Sequence, residues 1–226
     1  MKHNKHAIVL GDRSDIAQAL MPMMYEDGWT LDGWNRNAPI PFADWDLVLV
    51  TLGQVKPVGM WWDIPEAEWE SAIESNVLLP VRMLRYLWTH RKPGARVCFM
   101  AGSNPNTVMD GYSAYNAGKM CLLKVVEQLD HESQDAVIFA LGPGVTNTKI
   151  HNATLEAKWP NPRLERALKD GSFTSNADIY HCLTWCLSQP KEVVGGRNIV
   201  VSDQYGPGLI VRLKLNQSMF KLRRAE

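Results

Sequence analysis

The stretch that decides the fold is MAGSNPNTVMDGYSAYNAGKMCLL, residues 100–123. Tyr115 and Lys119 stand four residues apart at the start of an apolar, helix-like segment, and this spacing stacks two side chains on one helix face. An ammonium group one turn away favours the phenolate, so the pair predicts a Tyr115 pKa lowered from about 10 toward neutral pH. Ser103 follows a strand-like run, 96–101, and its hydroxyl could hold a carbonyl oxygen while Tyr115 donates a proton. A Tyr-x-x-x-Lys pair taken alone is a weak signal that ordinary exposed helices also carry, but the strand, the serine and the glycine-containing loop before it favour a functional pair.

The composition is that of a soluble globular protein. Hydrophobic residues make up 46% of the 226 residues and charged residues 21%. Basic and acidic residues balance at 24 each, which gives no indication of a nucleic-acid partner or an acidic membrane surface. Apolar runs stay well below the roughly 18 residues that a membrane span needs, and the first one, 7–10, is too short for a signal peptide. We therefore expect a cytoplasmic protein.

The cysteines and histidines do not form a recognisable metal site. The four cysteines have no paired Cys-x-x-Cys spacing, and we expect small buried apolar side chains in a reducing compartment at Cys98, Cys121, Cys182 and Cys186. His3, His6 and His151 have no partner by spacing, which favours surface positions.

Strand-like and helix-like segments alternate along the whole chain. The pattern predicts strands at 7–10, 29–35, 47–51, 96–101, 136–141 and 198–201. It predicts helices after Gly11, from 63–66 to about 89, and at 113–131, 163–169 and 178–188. No repeat or linker interrupts them. The alternation predicts one α/β domain over 1–226, a doubly wound parallel sheet.

Two features are ambiguous on the residues alone. The chain opens with strand, glycine turn and helix, but Gly11 is the one glycine present where a phosphate-binding turn would have several, with Asp15 and Ala17 at the other places. This turn is as typical of a plain βα connection as of a phosphate cradle. Asn76 lies among apolar residues in the middle of a helix, a position that usually faces solvent.

Taken together, these motifs resemble the short-chain dehydrogenase/reductase family over essentially the whole chain. Residues 11–17 look like a divergent form of its glycine-rich turn, and Leu52-Gly53 stands where the family has Asn-Ala-Gly. Pro143-Gly144 with Thr148 is similar to its Pro-Gly turn beside the nicotinamide. Four residues match its catalytic tetrad: Asn76, Ser103, Tyr115 and Lys119.

The resemblance implies an oxidoreductase that interconverts a carbonyl and an alcohol with NADP, with NAD as the alternative cofactor. Tyr115 would be the general acid or base, Lys119 would lower its pKa and bind the nicotinamide ribose, Ser103 would hold the carbonyl oxygen, and Asn76 would organise a water chain. The cofactor-binding candidates are Gly11, Arg13, Ser14, Asp15, Ile16, Asn35, Arg36, Leu52, Gly53, Tyr115, Lys119, Pro143, Gly144, Val145, Thr146 and Thr148.

The chain is shorter than the family pattern between the second strand and the strand that follows. The family has a helix, a strand and another helix there, whereas this chain has the eleven residues 36–46. Fully extended, they reach roughly 36–40 Å, enough to cross about two strand spacings and return along a strand. We therefore expect a Rossmann-type, three-layer αβα fold with six strands, the usual third one missing. An open adenine pocket and weaker cofactor binding would follow, with Asp15 placing negative charge near a phosphate.

Residues at the end of the second strand indicate the choice of cofactor. A carboxylate there would favour NAD, and an arginine would favour the 2′-phosphate of NADP. Arg36 directly follows Asn35, Asp32 comes too early, and Arg13 could add a second positive group. NADPH preference is the prediction, with a merely solvated Arg36 as the alternative.

The sequence indicates the substrate-binding residues less clearly than the cofactor-binding residues. Candidate substrate-binding residues are Trp61, Trp62, Asn104, Tyr112 and Trp159, although the tryptophans could equally cover the core or a subunit interface. We expect a substrate lid over 148–176 and a basic amphipathic tail over 213–226. The helices carrying Asn76 and Tyr115 have surplus apolar positions, which predicts a homodimer or homotetramer.

Two other functions remain open. The first is a sugar isomerase or dehydratase that keeps its cofactor bound, although such relatives carry a larger substrate domain. The second is a non-catalytic scaffold or sensor that binds NADP, which the degraded glycine turn favours and the complete tetrad disfavours. Partners would in every case include a small molecule, with no nucleic acid and no membrane.

Overall fold

Six parallel strands form one sheet in the order β2-β1-β3-β4-β5-β6. The computed structural model describes residues 5–102, 107–157, 159, 161–203 and 205–222. The strands are β1 (His6–Leu10), β2 (Thr30–Trp34), β3 (Trp45–Val50), β4 (Arg91–Met100), β5 (Val137–Gly142) and β6 (Asn198–Val200). The predicted six-stranded doubly wound sheet is confirmed.

Helices follow the strands. Their bounds in the described residues are α1 (Asp15–Glu26), α2 (Glu66–Ile73), α3 (Leu79–Leu87), α4 (Ser113–Glu132), α5 (Asn152–Glu156), α6 (Pro162–Asp170), α7 (Asn176–Ser188), α8 (Lys191–Val194) and α9 (Pro207–Leu215). Ser14 caps α1 by accepting from Ala17 N at 3.1 Å, and Ser175 caps α7 by accepting from Asp178 N at 3.1 Å. The starts of α1 and α7 are thus fixed by short polar side chains.

The three layers arise because successive side chains along each strand point to opposite faces of the sheet. Ala7 and Val9 belong to a core with residues of α1 and α7, whereas Ile8 and Leu10 belong to a second core with residues of α3 and α4. Successive side chains of a strand point to opposite sheet faces, so a run of buried apolar residues serves both cores. This arrangement confirms the predicted αβα layering.

The short connection between β2 and β3 contains neither a helix nor a strand. Strand β1 pairs with both, since Ile8 is opposite Asp32 on one side and Val48 on the other. Trp34 is buried at the end of β2, and its indole N–H donates to Ala38 O at 3.0 Å, which fixes the start of the connection. The chain therefore crosses β1 directly, and the absence of the family's third strand is confirmed.

The long helix predicted up to about residue 89 is interrupted by a π-helical segment, Glu74–Leu78, between α2 and α3. Asn76 lies inside this segment and is 0% exposed, so the expectation of a solvated side chain is wrong. A π segment inserts extra residues into the helical turn and rotates the side chains around it. The register of an ordinary α-helix, which the sequence pattern assumes, does not hold here.

Three other expectations about side-chain exposure are corrected. Cys121 is exposed on α4, whereas Cys98, Cys182 and Cys186 are buried as expected. His6 is largely buried and has two polar partners. Its Nδ1 lies 2.8 Å from Asp44 O, and its Nε2 lies 3.2 Å from an Asp32 carboxylate oxygen. His151 is half-buried rather than on the surface. His3 lies outside the described residues.

The basic tail is attached to the domain through Arg197. This side chain is 1% exposed and donates to Leu213 O at 2.8 Å and Met219 O at 3.1 Å. In the described part of the chain, no helix combines the length and the apolar character that a bilayer span requires. Across the same residues, no cluster of three or more His, Cys, Asp or Glu side chains could hold a metal ion.

Candidate active site

Glycine-containing loops follow β1, β3, β4 and β5, and they meet at the carboxyl edge of the sheet. The chain runs from β1 to one side and returns to β3 on the other, so a crevice opens between them, as expected where the strand order reverses. A cavity of about 200 Å³ lies at this edge. Its lining includes these predicted residues: Ile16, Leu52, Gly53, Tyr115, Lys119, Pro143, Gly144, Val145 and Thr146.

Helix α4 brings Tyr115 and Lys119 together in this cavity. The Lys119 ammonium nitrogen lies 5.9 Å from the centroid of the Tyr115 ring, one helical turn away. Lys119 is 4% exposed, and its Nζ donates to Met100 O at the end of β4 at 3.1 Å. The backbone of β4 therefore fixes the amine beneath the phenol ring.

The pKa values of these two groups shift away from the charged forms. Burial, followed by the proximity of Tyr112, raises the pKa of Tyr115 to about 12. Burial lowers the pKa of Lys119 to about 8. The spacing-based expectation of a lowered tyrosine pKa is not met, because removal of the phenolate from water outweighs the nearby amine. Tyr115 is thus a protonated donor at neutral pH.

Asn76 connects the α2–α3 helix to the loop after β3. Its Nδ2 donates to Gln54 O and to Ala72 O, both at 2.9 Å, and its Oδ1 accepts from Gln54 N at 3.3 Å. Gly53 lies between Asn76 and Lys119: a Cβ built on it would stand 2.8 Å from Asn76 Oδ1 and 3.1 Å from Lys119 Nζ. With a φ of +149°, this position favours glycine on steric and backbone grounds. Asn76, Gly53 and Lys119 form one packed group.

The turn after β1 is held by hydroxyl groups rather than by extra glycines. Ser14 Oγ donates to Thr51 Oγ1 at 2.9 Å, and Thr51 Oγ1 donates to Gly11 O at 2.8 Å. A Cβ on Gly11 would lie 2.8 Å from Thr51 Oγ1, so this turn requires its glycine. Ala17 N donates to Ser14 Oγ, while the backbone N–H groups of Asp15 and Ile16, both of which line the crevice, have no acceptor within the helix and suit a pyrophosphate. The site thus fits a nicotinamide dinucleotide.

Asp15 does not leave a bare negative charge at this helix start. Its carboxylate accepts from Lys149 N at 2.6 Å and pairs with Lys149 Nζ at 3.1 Å, while Lys149 Nζ also donates to Arg13 O at 3.0 Å. Burial opposes ionisation, but Lys149 keeps the pKa of Asp15 below its ordinary value. The charge that the sequence places near a phosphate is therefore neutralised by a lysine 134 residues away.

A second cavity of about 510 Å³ adjoins the first and shares Ile16, Thr51 and Gly53 with it. Ser14, Asp15 and Thr148, all predicted cofactor residues, line this second cavity. Most of the predicted cofactor residues therefore line one of these two adjoining cavities, which together form one crevice.

Arg36 and Asn35 lie beyond these cavities, at the end of β2. Arg36 is exposed, and its guanidinium donates to Ser75 Oγ at 2.9 Å. Asn35 Nδ2 donates to a carboxylate oxygen of Asp12 at 3.2 Å, and a Cβ on Gly33 would lie 2.7 Å from Asp12 Oδ2. Sequence reasoning missed Asp12, because this acid comes from the turn after β1 and meets β2 through the fold alone.

The predicted substrate residues fall into two groups. Trp159 packs on Gly111, with a hypothetical Gly111 Cβ 3.0 Å from its side chain, and Tyr112 OH donates to Trp159 O at 3.3 Å. Trp61 and Trp62 are 67% and 62% exposed, form an edge-to-face pair and line neither of the two cavities. Ser103 and Asn104 lie outside the described residues.

The cavity-lining residues Asn116, His151 and Arg163 are not among the predicted site residues. Asn116 follows Tyr115 directly, and its Nδ2 donates to Thr107 O at 3.2 Å. His151 and Arg163 belong to 146–173, where hydrophobic periodicity is weak at first. Their position in the cavity depends on how this segment folds back over the sheet edge.

Comparison with known proteins gives a family match over most of the chain. Residues 41–203 match the model of a family described as enoyl-(acyl carrier protein) reductase. An uncharacterised oxidoreductase of Schizosaccharomyces pombe is 24% identical over 110 residues. That alignment covers 48% of this chain and 44% of the relative, so it spans less than half of the relative's length.

Solved structures of short-chain dehydrogenases share the fold. One from Saccharomyces cerevisiae has a TM-score of 0.75 at 17% identity, with 91% of this chain and 98% of that one covered. A small-chain dehydrogenase in complex with NADPH has a TM-score of 0.74 at 16% identity, covering 92% and 99%. A 4-hydroxyisoleucine dehydrogenase complexed with NADH has a TM-score of 0.69 at 16% identity, covering 87% and 96%. With the family match over residues 41–203, the chain belongs to the short-chain dehydrogenase/reductase family of oxidoreductases.

Proposed function

We propose that this protein interconverts a carbonyl compound and its alcohol with a nicotinamide cofactor, NADPH in preference to NADH. The observation that carries the proposal is the group formed by Tyr115, Lys119, Asn76 and Gly53 at the carboxyl edge of the sheet. A phenol and an amine on one helix face, beside a cavity that suits a nicotinamide, are the groups that a carbonyl reduction requires. The activity of the whole protein, its substrate and its partners are likewise proposed.

Tyr115 supplies the proton in the proposed reduction. When bound, the reduced nicotinamide supplies the hydride that goes to the carbonyl carbon. The Tyr115 proton goes to the carbonyl oxygen, which leaves an alcohol, a phenolate and the oxidised cofactor. A pKa of about 12 keeps Tyr115 protonated until a substrate oxygen develops negative charge. Lys119 stabilises the phenolate that forms and binds the nicotinamide ribose, and Tyr115 is reprotonated from solvent.

Asn76 acts as a positioning residue in this proposal. Both polar atoms of its side-chain amide are occupied by backbone groups of residues 54 and 72, so it holds the 52–54 loop against Lys119. The family resemblance implies that Asn76 also organises a water chain that returns the proton, and its Oδ1, which accepts one hydrogen bond from Gln54 N, can accept a second from water. Ser103, outside the described residues, is proposed to hold the carbonyl oxygen.

A direct test combines cofactor titration with a turnover panel. Purified protein is titrated with NADPH and NADH by fluorescence, then assayed with aliphatic and aromatic ketones, aldehydes and alcohols. Saturable binding with net turnover of at least one carbonyl–alcohol pair supports the proposal. Cofactor that co-purifies and never turns over net would favour the isomerase or dehydratase alternative. Binding of neither cofactor would overturn the proposal.

NADPH preference is assigned to Arg36, with Arg13 as a second positive group. We expect Arg36→Ala to weaken NADPH binding about 10- to 100-fold and NADH binding little, because one charge-assisted contact to a 2′-phosphate contributes about 1.5–3 kcal/mol. Isothermal titration of both cofactors against wild type and variant measures the ratio. Arg82→Ala is the control: Arg82 is exposed on α3 and pairs with Glu74 of the π-helical segment that precedes this helix.

The competing residue for cofactor choice is Asp12. Its carboxylate sits beside Gly33 and Asn35, where it could accept from the hydroxyls of an NAD ribose. Tighter NADH than NADPH binding by the wild-type protein, reversed in Asp12→Asn, would transfer the selectivity from Arg36 to Asp12.

A homodimer or homotetramer is proposed, with contact through α3 and α4. Leu78, the last residue of the π-helical segment before α3, is 50% exposed, and Tyr86 on α3 is 54% exposed. Light scattering at micromolar concentration should give a multiple of 25.5 kDa, and a monomer mass would contradict the assignment. A cytoplasmic location, a single domain over 1–226, a lid over 148–176 and a tail over 213–226 also remain proposals.

A further inference from the structure

The charged groups of the catalytic cavity are unequally distributed. Lys119 and Arg163 line it, and among its described lining residues there is no Asp or Glu. Two acidic residues, Asp15 and Glu156, line the adjoining cavity, and Asp15 is already paired with Lys149. The catalytic cavity is therefore suited to a negatively charged ligand.

Arg163 differs from Lys119, the other Lys or Arg side chain that lines this cavity, in the partners of its charged group. Within the described residues, no carboxylate or carbonyl oxygen accepts from its guanidinium, whereas Arg36, Lys119 and Lys149 each donate to a protein oxygen. Lys119 serves the phenol and the ribose in the proposed reaction. Arg163 is the cation left for the substrate.

The backbone that carries Arg163 is well fixed. Asn161 caps α6 by accepting from Arg163 N at 2.9 Å and from Leu164 N at 3.4 Å. Leu164 and Ala167 are buried, and Gly171 ends the helix in a left-handed conformation. A guanidinium on such a base presents a planar pair of donors to a carboxylate.

His151 does not supply a competing charge. It lines the same cavity, its Nε2 is buried without a hydrogen-bond partner, and burial lowers its pKa below the ordinary value. The ring is therefore neutral at neutral pH. Arg163 is then the one cation among the described lining residues that is free to bind a substrate anion.

On these grounds, and resting on the proposed function, we infer that the substrate is a small carbonyl compound bearing a carboxylate, which Arg163 binds while Tyr115 protonates the carbonyl oxygen. The cavity of about 200 Å³ must also hold the nicotinamide ring, which leaves room for a compact substrate. Arg163 is thus a specificity-determining residue.

The test compares acids with their neutral esters on the binary complex. The protein saturated with NADP⁺, which cannot reduce a ketone, is titrated calorimetrically with 2-oxobutanoate, 3-oxobutanoate and 4-oxopentanoate and with their methyl esters. We expect at least one acid to bind 10-fold or more tightly than its ester. Arg163→Gln should remove this difference by weakening the acid alone, with NADP⁺ affinity unchanged. Arg163→Lys should retain part of it.

Arg166→Gln is the matched control, since Arg166 is exposed on the same helix, carries the same charge and lines neither cavity. Equal binding of acids and esters by the wild type, or no saturable acid binding, would overturn the inference. The inference would also be overturned if Arg163→Gln weakened the binding of acid and ester equally. It would likewise be overturned if this variant lost NADP⁺ affinity but still bound the acid more tightly than the ester. If neutral ketones are still reduced, the proposed function stands. If neither cofactor binds, the proposed function is wrong, and titration of the cofactor-free protein with the same acids and esters still decides the role of Arg163.

Discussion

Replacing Tyr115 with phenylalanine is expected to reduce turnover about 100- to 10,000-fold while NADPH affinity stays within about twofold of wild type. The variant keeps the ring that packs beside Lys119 and loses only the hydroxyl. With its pKa raised to about 12, this hydroxyl is the protonated donor of the cavity at neutral pH. The measurement is kcat and kcat/KM on a substrate found in the carbonyl panel, together with an NADPH titration.

Tyr180→Phe provides the control for losing a phenol. Tyr180 OH donates to Asp27 at 2.6 Å, a contact between α7 and α1 outside both cavities. Its variant should keep wild-type turnover. Near-normal activity of Tyr115→Phe would show that another group delivers the proton and that the tetrad assignment is wrong. Equal losses of turnover in both variants would point to a general effect on folding.

The number of strands and the layers could be predicted from the sequence because they depend on local patterns. Apolar runs such as 47–51 and 136–141 mark buried strands, and helices with capping residues separate them. The missing third strand could also be predicted, since the reach of an extended chain is fixed by covalent geometry. The positions of Tyr115 and Lys119 on one helix face follow from the same local reasoning.

What could not be predicted depends on tertiary contacts. Asn76 is buried because of a π-helical segment, which an apolar spacing pattern does not encode. Asp12 meets Asn35, and Asp15 meets Lys149, across 23 and 134 residues respectively. Arg163 gives no signal, because an arginine at a helix start is ordinary until the cavity beside it is known. The degraded glycine turn gives a weak signal for the same reason: its hydroxyl support comes from Thr51, which directly follows β3.

The direction of the Tyr115 pKa shift is the most instructive of these differences. Spacing predicts the attraction between phenolate and ammonium, but it gives no measure of how far both groups are removed from water. In the structure, desolvation dominates, and it raises one pKa to about 12 and lowers the other to about 8. A bound cofactor and substrate would change this balance, since they add polar groups to the cavity.

The burial of Lys119 leads to the second large expected effect: replacing this lysine should make the folded protein more stable while abolishing its activity. The pKa of Lys119 is lowered by burial from 10.5 to about 8. Keeping the amine protonated in the native state at pH 7 therefore costs about 3 kcal/mol. Lys119→Met removes this cost and loses the hydrogen bond to Met100 O, worth about 1 kcal/mol. We expect a net gain of about 2 kcal/mol, a rise in Tm of several degrees and almost no turnover.

The pH dependence of unfolding separates this explanation from a general packing effect. Between about pH 8 and pH 10.5 the unfolded chain keeps the Lys119 proton while the native state has released it, so the unfolding free energy of the wild type rises with pH. Below about pH 8 both states are protonated and the full penalty applies. The Lys119→Met variant lacks this rise, and the two proteins converge near pH 10. Lys124→Met, on an exposed lysine of the same helix paired with Glu127, should follow the wild-type curve. Parallel curves for wild type and Lys119→Met over this range would show that the Lys119 proton does not limit stability.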